Sequence, residues 1–256
     1  MNKKTVGILA VVAGLVVICI MGVVGVLLFT VLRAPEEASE PIEAVPLEAV
    51  TVEAMPESTE PEVPAEAEAE NEPDAAVANL TIFTIQQAGS QARFELDEEL
   101  RGNPITVVGS TDQVAGEIGI DFNNPAATEL GVIQVNARTL ATDNDFRNRA
   151  LRNEILVTGP FEYITFTPTE ITGLPDTVAV GDTITFQVNG DLTITGISQP
   201  ATFAVTLTIV SETEISGTAS TVVTREAYNL RIPSVPAVAN VEEEVEIYLD
   251  FVASAG

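Results

Sequence analysis

The chain has 256 residues, a formal charge of −27, a single cysteine and no histidine. Without an imidazole there is no Ser-His-Asp or Cys-His relay and no His-ligated zinc. One cysteine excludes an intrachain disulfide, and so acidic a chain lacks the clustered cations that nucleic acid needs.

Residues 6–32, VGILAVVAGLVVICIMGVVGVLLFTVL, carry no charge. As a helix at about 1.5 Å per residue they would span roughly 40 Å, more than a hydrocarbon core of about 30 Å. The run is too long for a signal-peptide core, and Leu32-Arg33-Ala34 lacks the small-x-small exit such a peptide needs. Cys19 follows Ile18, where a lipoprotein site wants a small residue. Residues 1–33 therefore read as a short tip and an uncleaved transmembrane helix. Lys3 and Lys4 before it, against Arg33 after it, put the N-terminus in the cytoplasm and the rest outside.

Residues 34–79 are rich in Glu, Pro and Ala and contain no Lys or Arg. The segment reads as a disordered, solvated linker, since it cannot bury enough apolar area to offset the entropy of ordering.

From residue 80 to 256 the composition turns to Thr, Val, Ile and Phe, with turn residues at short intervals. Strands are predicted in NLTIFTIQ, in SQARFELDEEL and across 105–122, where Gly109, Gly116 and Gly119 suggest kinks or bulges. GVIQVNARTL follows. TDNDFRNRALRNE is the one helical signal, with Thr142 or Asp143 as its cap and Phe146 and Leu151 facing inward. Further strands are predicted near 161–168, 183–195, 201–210, 214–224 and 245–253. In DTITFQVNGDLTITGISQPATFAVTLTI, apolar residues occupy alternate positions, so each strand has one greasy face. Eight or nine such strands make an all-β antiparallel sandwich or a closed barrel.

The order TLATDNDFRNRALRN (139–153), ITFTPTEI (164–171), VNGDLTITGISQPATFAVTL (188–207), REAYNLRIPSV (225–235) and VEIYLDF (245–251) resembles the YceI-like, lipocalin-like family. The similarity spans roughly 80–253. It implies an eight-stranded antiparallel barrel with one short helical excursion, some members of the family holding a polyisoprenoid or similar amphiphile in the lumen. The chain departs from the pattern at Asp145, Phe146 and Asn148 around Arg147, and at the IPSVPAVANVEEEVE segment.

The side chains expected to line such a lumen are Phe94, Phe166, Phe186, Leu192, Phe203, Leu207 and Phe251. A lumen of this kind needs no catalytic group and no cofactor, because apolar burial alone holds a hydrocarbon. Arg147 and Arg152, near Arg149, are candidates for a polar head group, since guanidinium forks match carboxylate or phosphate. The alternative is that they pair with Asp143, Asp145 or Glu154. The general acidity favours a neutral quinone-like or isoprenoid-alcohol head. Asp143, Asp145 and Glu154 have EF-hand spacing, but Arg147 sits at the fifth position and no glycine at the sixth, so calcium is not expected.

The sequence thus predicts a non-enzymatic, membrane-tethered extracytoplasmic barrel that binds an isoprenoid lipid or quinone-like amphiphile. Pairing into a homodimer is left open. The rival reading is a structural or interaction ectodomain with a solidly packed barrel; an accessory to a membrane redox enzyme is a third.

Overall fold

The computed structural model describes residues 34–47 and 79–256. The expected membrane span and residues 48–78 of the expected linker lie outside the described residues.

Thr-, Val- and Phe-rich segments favour the pleated conformation, and the chain forms strands wherever they alternate with polar residues. Thr81–Ile85 (β1), Gln91–Leu100 (β2) and Asn103–Thr111 (β3) come first. Four short strands follow: Val114–Ala115 (β4), Glu117–Ile120 (β5), Glu129–Leu130 (β6) and Ile133–Asn136 (β7). The helix Asp145–Ala150 (α1) runs on into a π turn at Leu151–Ile155. The long strands Tyr163–Thr172 (β8), Thr183–Ile194 (β9), Ile197–Ile209 (β10) and Glu214–Thr224 (β11) then precede Val238–Ala239 (β12) and Glu244–Ala255 (β13).

All pairings are antiparallel, and they curl into a ring. β7 to β11 pair in sequence, except that the helical excursion separates β7 from β8; β11 then pairs with β13, β13 with β2, and β2 with β3. The ring closes where β3 bends into β4. One isolated bridge, Ser110 to Ala141, and the two residue pairs of β4 with β7 make the seam. Counting β3 and β4 as one kinked strand gives eight positions round the barrel. β1, β5 and β6 form a flap outside this ring, joined to the last residues of β13.

The registers give the barrel two distinct ends. At the helical end lie α1 and its π turn, the tight turns after β2 and β9, and the loop 225–243. At the flap end lie the loops after β8 and β10 and the flap itself. Both tight turns are two-residue hairpins with positive φ at each centre, Arg101-Gly102 and Thr195-Gly196, which matches the right-handed twist of the strands they join.

The excursion differs in detail from the sequence reading. Asn144, rather than Thr142 or Asp143, caps α1, its Oδ1 accepting the N–H groups of Phe146 and Arg147 at 2.9 and 3.1 Å. Thr142 instead donates its hydroxyl to Asn148 Oδ1. Leu151 is buried as expected, but Phe146 is 79% exposed. The buried face of α1 is set by Asn148, and Phe146, two residues earlier, lies about 200° round the helix from it.

Residues 34–47 also depart from the solvated linker expected over 34–79. They lie along the outside of the barrel across the seam, as a strap. Ile42 is 6% exposed, and its carbonyl accepts a hydrogen bond from Gln87 Nε2. The N–H of Leu47 donates to Glu117 Oε2 at 2.9 Å. Two apolar side chains and a few fixed polar partners suffice to order a segment whose average composition argues for solvation.

Candidate functional site: an apolar lumen and an arginine hub

The inward faces of the ring, with Ile85, Ile118 and Leu130 of the flap, enclose a cavity. Counted to the atom surfaces and including the part open to solvent, it is about 1160 Å³; the volume open to the centre of a water molecule is about 150 Å³. The second figure is the one to set against other proteins, where an apolar cavity of about that size stays dry and accepts a small hydrocarbon. The lining is apolar: of its polar residues Thr128, Arg93 and Tyr248, the last two stack on each other on the outer face, the Arg93 guanidinium 4.2 Å from the Tyr248 ring.

All seven side chains proposed for a lumen line this cavity: Phe94, Phe166, Phe186, Leu192, Phe203, Leu207 and Phe251. Further lining comes from Val188, Ile194, Val205, Ala219, Ile247 and Leu249. All but Ala219 share a strand and its parity with a chosen residue, so alternation alone could have found those five.

Three of the phenylalanines are kept to the wall by glycines on the neighbouring strand. Phe94 on β2 faces Gly109 on β3, and Phe251 on β13 faces Gly217 on β11. Phe166 on β8 lies across Gly190 on β9. A Cβ built on Gly109 would stand 2.3 Å from the Phe94 ring; on Gly190 or Gly217 it would stand 2.6 or 2.7 Å from the facing ring. Without side chains there, each ring can lie against the sheet instead of crossing the axis. Phe166 and Phe203 then meet edge to face with centroids 4.8 Å apart.

The two arginines proposed for a head group are engaged within the protein. Arg147 reaches Asp143 at 2.6 Å and Glu98 at 3.2 Å, and Glu98 is 7% exposed. Arg152 donates to the carbonyls of Asn148 and Arg138, at 3.3 and 3.0 Å. Neither lines the cavity. Among the described residues, no group of three or more His, Cys, Asp or Glu side chains could hold a metal ion.

The polar centre that sequence reasoning missed is Arg138, just beyond β7. Its guanidinium contacts Glu162 at 2.9 Å and Glu36 at 3.1 Å, and donates to the carbonyls of Thr158 and Gly159. Glu162 accepts from the fully buried Asn136 amide at 3.0 Å. It also accepts from the N–H and hydroxyl of Ser39, at 2.8 and 2.7 Å. The hub ties strap, β7 and β8 together at the helical end.

Burial pushes the Glu162 carboxyl up, but the two Ser39 bonds, the Asn136 amide and the Arg138 guanidinium together hold it below its ordinary value of 4.5. A depressed carboxylate stabilises the docked strap above the ordinary value and loses that contribution as pH falls through its own, lower one. Residues 34–47 should therefore be protected from amide exchange at neutral pH and become exchangeable below 4.5, before the barrel strands do. Protection unchanged down to the acid unfolding of the barrel would show that Glu162 does not control the strap.

A family model described as a YceI-like domain matches residues 83–253. The fold is similar to a polyisoprenoid binding domain from Saccharophagus degradans implicated in plant cell wall breakdown. That likeness has a TM-score of 0.55 at 16% identity and covers 70% of this chain and 100% of the other. It is similar also to BcnA of Burkholderia cenocepacia, with a TM-score of 0.53 at 18% identity, covering 66% of this chain and 99% of that one. No curated protein matches the sequence.

Proposed function

This chain belongs to the YceI-like domain family, and from that premise we propose that it binds one apolar amphiphile of the isoprenoid class in its barrel lumen. Residues 6–32 anchor the barrel outside the cytoplasmic membrane, beside a source of such lipids. The observation that carries the reading is the open apolar bore, with its phenylalanines held against the wall. A rival scaffold with a solidly packed barrel would leave no such bore. The similarity to a domain named for polyisoprenoid binding points the same way.

The head group is neutral, a quinone or an isoprenoid alcohol. Arg147 and Arg152 already have partners, and the Arg93 guanidinium and Tyr248 hydroxyl bond carboxylates of the outer face, so the lining offers a charged head group no partner. The bore, at about 150 Å³, admits about one isoprene unit without rearrangement. A longer tail requires the half-buried Phe94 and Phe186 rings to swing aside, a rotamer change that leaves the strands in place. The ligand is held for carriage or sequestration, and no chemical step is involved.

Protein purified from membranes as the full chain, extracted with organic solvent and examined by mass spectrometry, should release an isoprenoid lipid near one per chain. An empty extract, with no uptake of added polyprenol or quinone, would overturn the proposal.

A further inference from the structure

We infer that the helical end of the barrel is a membrane-docking surface, held against the outer leaflet by the 34–47 strap. The inference rests on the anchoring by residues 6–32 proposed above.

The strap decides where the anchor emerges. The apolar run ends at Leu32, and Glu36 is already fixed on Arg138 at 3.1 Å. Four residues extend at most about 14 Å. Glu36 also lies beside Gly159, with its carboxylate 3.6 Å from where a Cβ would stand there. The chain therefore leaves the membrane against the helical end, between the exposed Val157 and Phe161.

The acidic segment is no spacer in this arrangement, because it follows the strap. Leu47 is hydrogen-bonded to Glu117 on one side of it and Asn79 to Asp121 on the other. Both ends of the 48–78 segment are therefore fixed on the barrel. A 46-residue tether between bilayer and barrel shrinks to a few residues.

The surface so positioned has the chemistry of a lipid interface. Phe146 (79% exposed), Val157, Phe161 and Val235 are large apolar side chains open to solvent at this end. Seven of the eight arginines from residue 34 onward belong to it, Arg93 being the other. Arg101, Arg149 and Arg231 are exposed, and among the described residues their guanidinium groups meet no partner, which leaves them free for lipid phosphates. The flap end also exposes Val180 and Val210, yet among the described residues it carries Asp176, Asp182, Glu212 and Glu214 with no lysine or arginine. The carboxylates of this end, among them Glu36, Glu98, Glu99, Asp143, Asp145, Glu154, Glu162, Glu226, Glu242 and Glu243, outnumber its seven arginines, so docking depends on the short tether and the apolar side chains and not on long-range attraction.

The test uses the full chain with Cys19→Ser, reconstituted into phosphatidylcholine vesicles containing phosphatidylglycerol. A fluorophore is placed by Asp145→Cys at the helical end or by Asp176→Cys at the flap end, and quenched by spin-labelled lipid. Position 145 should be quenched several-fold more than position 176. Ile42→Asp, which alters only the strap, should abolish the difference, and Phe146→Ser with Phe161→Ser should reduce it. Protein that fails to float with the vesicles overturns the anchoring reading itself. Floating protein with equal quenching at both positions overturns the docking surface, and a full difference in Ile42→Asp overturns the role of the strap.

Discussion

Ala219→Phe should abolish lipid uptake and leave the barrel folded. Ala219 sits on β11 opposite Val205 on β10 and Leu249 on β13, and all three line the bore. A phenyl group added there projects into a cavity of about 150 Å³ and takes the place of about one isoprene unit. At about 0.8 kcal/mol per buried carbon, excluding five carbons costs the complex ~4 kcal/mol, close to a thousandfold in Kd. The new ring enters existing space, so the thermal midpoint should move far less than for overpacking a filled core, which costs about 1–3 kcal/mol. Val222→Phe on the same strand, at a side chain 56% exposed, is the matched control and should bind as the parent does. Titration with a fluorescent polyprenol, alongside a melting curve, reads both quantities. Undiminished binding by Ala219→Phe would place the ligand elsewhere and remove the lumen from the account of function.

The part of this site that was legible in the sequence is the part governed by period two. Alternation fixes which face of a strand turns inward, and in a ring every inward face meets the same axis, so Phe186, Leu192, Phe203 and Leu207 could be assigned to one space from β9 and β10 alone. The resemblance supplied the closure into a barrel, which periodicity leaves open between barrel and sandwich. Features that depend on contacts between distant segments were not legible. Arg138 meets Glu162 and Glu36, far along the chain on either side, and nothing local marks it. Arg147 looked available because it stands near other arginines. In the fold it is taken by Asp143 one helical turn away, which local spacing foresaw, and by Glu98, which it could not. Composition averaged over 34–79 hid the strap, since two apolar side chains among many Glu and Pro scarcely alter a mean.

The glycines show the same limit and give the sharpest test of how the bore is kept open. Gly109 was expected to mark a kink or bulge, yet it lies in the regular β2–β3 ladder directly opposite Phe94. Gly217 shares that arrangement opposite Phe251, while Gly190 pairs with Pro168 and lies diagonal to Phe166; both differ from Gly109 in what surrounds them. An added Cβ at Gly190 would stand 2.4 Å from the Thr167 carbonyl oxygen as well as 2.6 Å from the Phe166 ring. Main chain cannot step aside as a ring can, so Gly190→Ala should cost about 3 kcal/mol, the upper part of the overpacking range. At Gly109 the near atoms are all from the Phe94 ring, at the end of a side chain with two free torsions. Gly109→Ala should therefore cost about 1 kcal/mol, and the ring it displaces should swing into the bore. Urea unfolding would separate the two variants by stability, and polyprenol uptake would separate them in the opposite sense per unit of stability lost: Gly109→Ala barely weakened as a fold but poor as a binder. Equal losses of stability, or a Gly109→Ala barrel that binds as well as the parent, would mean that the glycines serve the strands rather than the space between them.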